Sequence, residues 1–79
     1  MYLNFLDCIE KIEKLDYLIS KEKTGSPTEL ARYLNVSERQ IYRLIGLMKN
    51  LGAKIKFCNY KRSYKYTNPV KFHIGFIEK

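Results

Sequence analysis

The sequence predicts a mainly helical domain finished by a small antiparallel sheet, and three observations carry that prediction. Apolar residues recur at spacings of three and four through about residue 50, the period of a half-buried helix. Two serines, Ser26 and Ser37, are each followed three residues later by a side chain that reaches back, Glu29 and Gln40, which is how helices are capped. After Gly52 the apolar period shortens to two, as a strand requires. Three helices and a two- or three-stranded sheet are the expected fold.

The first helix is expected from Leu3 to about Lys21, with Phe5, Ile9, Ile12, Leu15, Leu18 and Ile19 on one face. Glu10, Lys11, Glu13 and Lys14 lie between them as a mixed-charge exposed side, and Glu10, Glu13 and Asp16 are read as solvated carboxylates. Gly25 is expected to end this segment in the left-handed conformation. The second helix opens at Ser26-Pro27-Thr28-Glu29, a serine cap with proline at the first helical position and the glutamate of a capping box. Leu30, Ala31 and Leu34 form its short apolar stripe, and Asn35-Val36-Ser37 interrupts it.

Ser37 caps a third helix, with Gln40 reaching back and Ile41, Leu44, Ile45 and Met48 at helical spacing. Asn50-Leu51-Gly52 supplies the stop. Lys54-Ile55-Lys56-Phe57 then alternates as a strand, Asn59-Tyr60-Lys61-Arg62 reads as a turn, and residues 63–67 alternate again and return antiparallel. Asn68-Pro69 breaks the ladder because proline has no N–H to donate. Val70, Phe72, Ile74 and Phe76 alternate through a last extended stretch.

Seventy-nine residues make one domain with a modest core. No apolar run approaches the roughly 20 residues of a membrane helix, and Met1-Tyr2-Leu3-Asn4 lacks the basic start of an export signal, so a cytoplasmic location is expected. Cys8 and Cys58 are expected as reduced thiols packed as small hydrophobes, and with His73 they have no metal-ligand spacing. A single histidine without a partner group argues against catalysis, and no cofactor is implied.

Charge divides the chain. Residues 1–38 carry five basic and seven acidic side chains, a balance of −2, whereas residues 39–79 carry ten basic and one acidic, a balance of +9, within a total of +7. No carboxylate occurs between Glu38 and Glu78. Such asymmetry points to a polyanionic partner for the second half.

The run from Pro27 to Gly46 resembles the helix-turn-helix of bacterial regulators. Leu30 and Ala31 stand where its first helix packs closely on the second, Val36, Ile41 and Leu44 fill its buried positions, and Asn35 takes the turn position usually held by glycine. Asparagine tolerates positive φ better than most residues. The leading helix and trailing hairpin extend the likeness, over residues 9–67, to winged-helix regulators of the DeoR type. The chain departs from them at Tyr42 and Leu44, where arginine and aspartate are usual, and it carries no effector-binding domain. The resemblance implies one winged-helix domain over 1–79, with the helix-turn-helix at 26–51, the wing at 53–67 and an extended segment at 68–79. It implies no small-molecule effector.

Double-stranded DNA is the partner so implied. A turn of about 100° per residue sets Arg39, Arg43, Gly46 and Asn50 opposite the apolar stripe of the third helix, with Gln40 and Tyr42 on its flanks. Recognition helices read the major groove mainly through their N-terminal residues. Arg39 and Arg43 suit guanine, Gln40 suits adenine, and Gly46 permits close approach of the helix to the DNA backbone. Ser26, Thr28 and Ser37, at helix N-termini, suit phosphates. Tyr60, Lys61 and Arg62 form the tip of the wing, beside Lys54, Lys56 and Lys65 as phosphate contacts.

Tyr60, Tyr64 and Tyr66 interleave with basic residues as a single-strand stacking platform would, though the period of two favours packing of Tyr64 and Tyr66 on the helices. Two further roles stay open: a winged-helix protein-interaction module, and an accessory factor of the phage or plasmid excisionase or antitoxin kind. Homodimerisation is expected through exposed Phe5 or Tyr17 of the first helix, or through the Phe72-to-Phe76 stretch, because paired half-sites multiply affinity.

Overall fold

A computed structural model describes residues 4–73. The elements run α1 (Phe5–Ser20), α2 (Pro27–Leu34), α3 (Glu38–Asn50), β1 (Ile55–Cys58) and β2 (Ser63–Tyr66). Three helices are thus followed by a two-stranded antiparallel hairpin, the arrangement of a winged helix. Among the described residues no third strand joins the sheet. Residues 68–73 continue without strand pairing, and Ile74 and Phe76 lie outside the described residues.

Local chemistry sets each boundary. Asn4 is extended and its Oδ1 accepts from the Asp7 N–H at 2.8 Å, so α1 begins at Phe5 and not at Leu3. Ser26 accepts from the Glu29 N–H at 3.2 Å while Glu29 Oε1 accepts from the Ser26 N–H at 3.1 Å, which completes the expected capping box behind Pro27. Ser37 Oγ caps α3 through the Gln40 N–H at 3.1 Å.

All three helices end in the same pair of bonds, closed by three different residues. After α1, Glu22 N–H reaches Ile19 O and Lys23 N–H reaches Leu18 O, both at 3.0 Å. After α2, Asn35 and Val36 bond Arg32 O and Ala31 O; after α3, Gly52 and Ala53 bond Lys49 O and Met48 O. This closure needs positive φ at its turning residue, and Glu22 (55°), Asn35 (58°) and Gly52 (113°) supply it. The expectation that Gly25 ends α1 is therefore corrected. Gly25 has positive φ too, but it lies beyond the closure, where it leads the chain into the α2 cap.

Ile12, Leu15 and Ile19 of α1 meet Leu30, Ala31 and Leu34 of α2, Ile41, Leu44, Ile45 and Met48 of α3, and Ile55 and Tyr64 of the hairpin. Phe5, which begins the apolar face of α1, is exposed. The hairpin pairs Ile55 with Tyr66, Lys56 with Lys65, Phe57 with Tyr64 and Cys58 with Ser63. The rings of Phe57 and Tyr64 meet edge to face, 5.1 Å between centroids. Cys8 and Cys58 are half-buried, unbridged thiols.

Two polar clusters fasten the hairpin to the helices. In the α1–α2 loop, buried Thr24 donates its N–H to Ser63 Oγ at 3.0 Å, and its Oγ1 accepts from the Tyr64 N–H at 2.9 Å. The two hydroxyls lie 3.1 Å apart, with Gly25 O and Tyr64 O each 2.9 Å from one of them as further acceptors. Side chains here give β2 what a neighbouring strand would give its edge. On the other side Asp16 is buried, contrary to its reading as a solvated carboxylate. Helical periodicity places it on the flank of the Ile12–Ile19 stripe, and its Oδ1 accepts from the Tyr66 O–H at 2.6 Å and the Phe72 N–H at 3.2 Å.

Candidate nucleic-acid interface

The third helix separates its residues cleanly. Ile41, Leu44, Ile45 and Met48 are buried, while Arg39, Arg43 and Asn50 on the opposite side are exposed and Gly46 is half-exposed. Tyr42 is exposed on one flank and Gln40 is half-buried on the other. A side chain at Gly46 would meet nothing: a Cβ built there has no neighbouring atom within 4 Å. Packing therefore supplies no reason for a glycine in the middle of α3, where it costs about 1 kcal/mol relative to alanine.

The first turn of α2 lies against the first residue of α3. Thr28 Oγ1 donates to Glu38 Oε2 at 3.1 Å, which commits its hydrogen to that carboxylate in this structure. Ser26 and Ser37 use their oxygens as acceptors for the caps, which leaves each O–H as a donor. Glu29 is held below its ordinary pKa, first by the bond from the Ser26 N–H, then by the Ser26 side chain, and further by the charges of Arg62 and Arg32. The bonds between Ser63 and Thr24 hold the end of the hairpin turn against the loop that leads into α2. The first turn of α2 thus meets α3 at Glu38, and the loop before it meets the hairpin at Ser63.

At the tip, Tyr60 is 91% exposed, and Lys61 and Arg62 are exposed. Arg62 adopts φ of 53°, which closes the turn between Cys58 and Ser63. The Tyr64 pKa is raised chiefly by burial and further by the charge of Tyr42. Tyr66 is raised as well, by burial first and then by its bond to Asp16. Tyr64 and Tyr66 are thus parts of the packing against the helices, as their period suggested, and are not free to stack on bases.

The structure brings Arg39, Arg43, Gly46 and Asn50 onto one face of α3, and Tyr60, Lys61 and Arg62 onto the tip of the hairpin. Thr28 belongs to the α2–α3 joint, with Glu29 and Glu38 beside it. Sequence reasoning missed Arg32, exposed in the last turn of α2 and close enough to act on Glu29. Its position one turn after Glu29 was the available signal. It also missed the pairing of Lys56 directly across from Lys65, which depends on strand register.

Among the described residues no helix is long and apolar enough to cross a membrane, and no group of three or more His, Cys, Asp or Glu is placed to hold a metal ion. No protein-family model matches the chain, and no significant match emerged among curated proteins or solved structures.

Proposed function

We propose that this chain is a winged helix-turn-helix protein that binds double-stranded DNA with sequence preference, in the control of transcription. Its third helix enters the major groove and its wing follows the adjacent backbone. The observation that carries this reading is the outward stripe of α3: two guanidinium groups in its first two turns, followed by a glycine that no packing demands. Arg39 and Arg43 suit the O6 and N7 acceptors of guanine. Gln40 and Tyr42 on the flanks, and Asn50 near the end, reach neighbouring groups. The Ser26 and Ser37 hydroxyls and the N-termini they cap receive phosphates, and Tyr60, Lys61 and Arg62 grip the sugar-phosphate track.

Charge supports the same reading. From Arg39 to Ile77 there is no acidic side chain, and the last two carboxylates before that stretch are Glu29 and Glu38. Both of those are already engaged by hydrogen bonds from the chain. Selection from a random duplex library tests the reading: the wild type enriches a motif and the Arg39→Ala/Arg43→Ala variant does not. Enrichment that survives the double substitution rules out α3 as the reading element.

A second reading rests on a different surface. Leu6 and Tyr17 of α1 and Tyr33 of α2 are exposed, and Tyr17, Leu18 and Tyr33 share a groove with Glu10, Glu13 and Lys14. That face lies in the acidic half of the chain and is suited to a protein contact, a homodimer included, which would pair two α3 helices on half-sites. Sedimentation at tens of micromolar separates the possibilities: a homogeneous 9.4 kDa species excludes the homodimer.

A further inference from the structure

The hairpin carries a second basic surface. Ile55 and Tyr64 belong to the core, and Phe57 and Tyr66 pack against it. Side chains alternate along strands, so Lys56, which is exposed, and Lys65, which is half-buried, stand on the opposite face from the core residues. The two are paired across the strands. Pairing continues one step further through the Thr67 N–H bond to Lys54 O at 2.8 Å, which sets exposed Lys54 on the same outer face. Ser63 belongs to that alternate set too, but the Thr24 loop covers it, so the open part of the face is the lysine part.

Like charges directly opposite one another in a sheet oppose its formation. A surface kept only for solubility is served by interspersed signs and has no need of this register. Here the ladder is uniform, and no carboxylate in the stretch from Arg39 to Ile77 offsets it. Groups of the opposite sign spaced along a chain, as in a phosphodiester backbone, neutralise such a ladder and release its counterions.

The position of this face distinguishes it from the groove-reading stripe. Ile41, Leu44, Ile45 and Met48 of α3 share the core with Ile55 and Tyr64, which belong to the inner side of the sheet. The third helix therefore occupies the inner side of the hairpin and the lysine ladder the outer one. We infer that Lys54, Lys56 and Lys65 form a second phosphate-backbone site, which takes a DNA segment other than the one read by α3. One bound protein then holds two duplex segments, or two arms of one bent molecule. The inference rests on the DNA-binding reading above, and its ligand is duplex backbone without regard to sequence.

The experiment uses the full chain and two 20-base-pair duplexes, one anchored to beads with the α3-selected motif, the other labelled and of random sequence. With the anchored duplex saturated by wild-type protein, the labelled duplex is retained. Lys56→Gln/Lys65→Gln lowers that retention at least tenfold, and by a larger factor than it lowers affinity for a single selected duplex, while Lys56→Arg/Lys65→Arg restores retention. Thermal melting at low salt, expected to be unchanged or raised in the glutamine variant, shows that folding is intact.

Retention that is absent in the wild type, or unaffected by the glutamine pair, overturns the inference; the second case means that two copies bridge through their α3 helices. A single-duplex affinity that collapses, with a salt slope smaller by about 1.8 for two lost phosphate contacts, also overturns it by assigning the ladder to the first duplex. Failure of the DNA-binding reading is seen separately, as motif enrichment untouched by Arg39→Ala/Arg43→Ala.

Discussion

Tyr66 of β2 donates its phenolic hydrogen to Asp16 of α1 across 2.6 Å, and the same carboxylate oxygen accepts the Phe72 N–H at 3.2 Å. One buried side chain of the first helix thus fixes the returning strand and the segment after it. Asp16 supplies a charge where an apolar residue would have served packing alone, and its cost is offset only while its partners stay in place. Removing one partner leaves the carboxylate short of a donor without giving it water.

Tyr66→Phe is expected to destabilise the fold by about 1.5–3 kcal/mol, the range for a hydrogen bond to a charged group. Urea unfolding followed by circular dichroism measures it, with the slope of the transition unchanged. The raised pKa of Tyr66 has a sign of its own: the folded chain keeps the phenolic proton where the unfolded chain has lost it. Its contribution is complete below the ordinary value of 10.0 and declines as pH rises beyond it. Absorbance titration should show Tyr64 and Tyr66 ionising above the ordinary value of 10.0. Wild-type and Tyr66→Phe stabilities that run parallel above pH 10 would count against the bond.

Acidification tests the α2 cap. Glu29 is depressed by its bond from Ser26, so it stabilises the fold above its ordinary value of 4.5, and that contribution disappears as pH falls through the folded value. Wild type and Glu29→Gln should differ in melting temperature at pH 7 and converge below about pH 4.5 as both side chains become neutral acceptors. A constant difference from pH 7 to pH 3 would show that the charge of Glu29 plays no part.

Glu22 closes α1 at φ of 55°, a conformation glycine takes freely and a side chain with a Cβ does not. Glu22→Gly should therefore raise stability by about 1 kcal/mol despite the entropy that glycine adds to the unfolded chain. Thermal melts read the change; a lower melting temperature would mean that the Glu22 side chain contributes contacts worth more than the strain.

The helices and their caps were legible because each rests on neighbours in sequence: Ser26 needs only Pro27 and Glu29, and the Ile41–Met48 stripe needs only its own period. The expected bend at Asn35 follows from one residue's tolerance of positive φ, and the structure has it at 58°. Asp16 and the end of α1 were misread for opposite reasons. Asp16 is buried by partners 50 and 56 residues away, which no local pattern reports. At Glu22 a nearby glycine offered a cheaper terminator, but the helix ran out of core to cover three residues earlier. The outward stripe of α3 was legible by elimination once the inward one was known, whereas the lysine ladder required strand register, which slips by whole faces when misjudged by one residue.

Gly46 separates the demands of fold and function most sharply. A helix-interior glycine with open space beyond its Cα is a stability defect, so Gly46→Ala should stabilise the protein by about 1 kcal/mol. In a domain of this size that raises the melting temperature by roughly 4–8 °C. If α3 sits in a groove as proposed, the same methyl group lies between helix and DNA, and binding to the selected duplex should weaken at least several-fold while Arg39 and Arg43 are untouched. Melting and a binding titration on one preparation measure both effects. A protein made firmer with its affinity intact would place the DNA elsewhere on the surface, and one made weaker in both respects would mean that the glycine serves the fold after all.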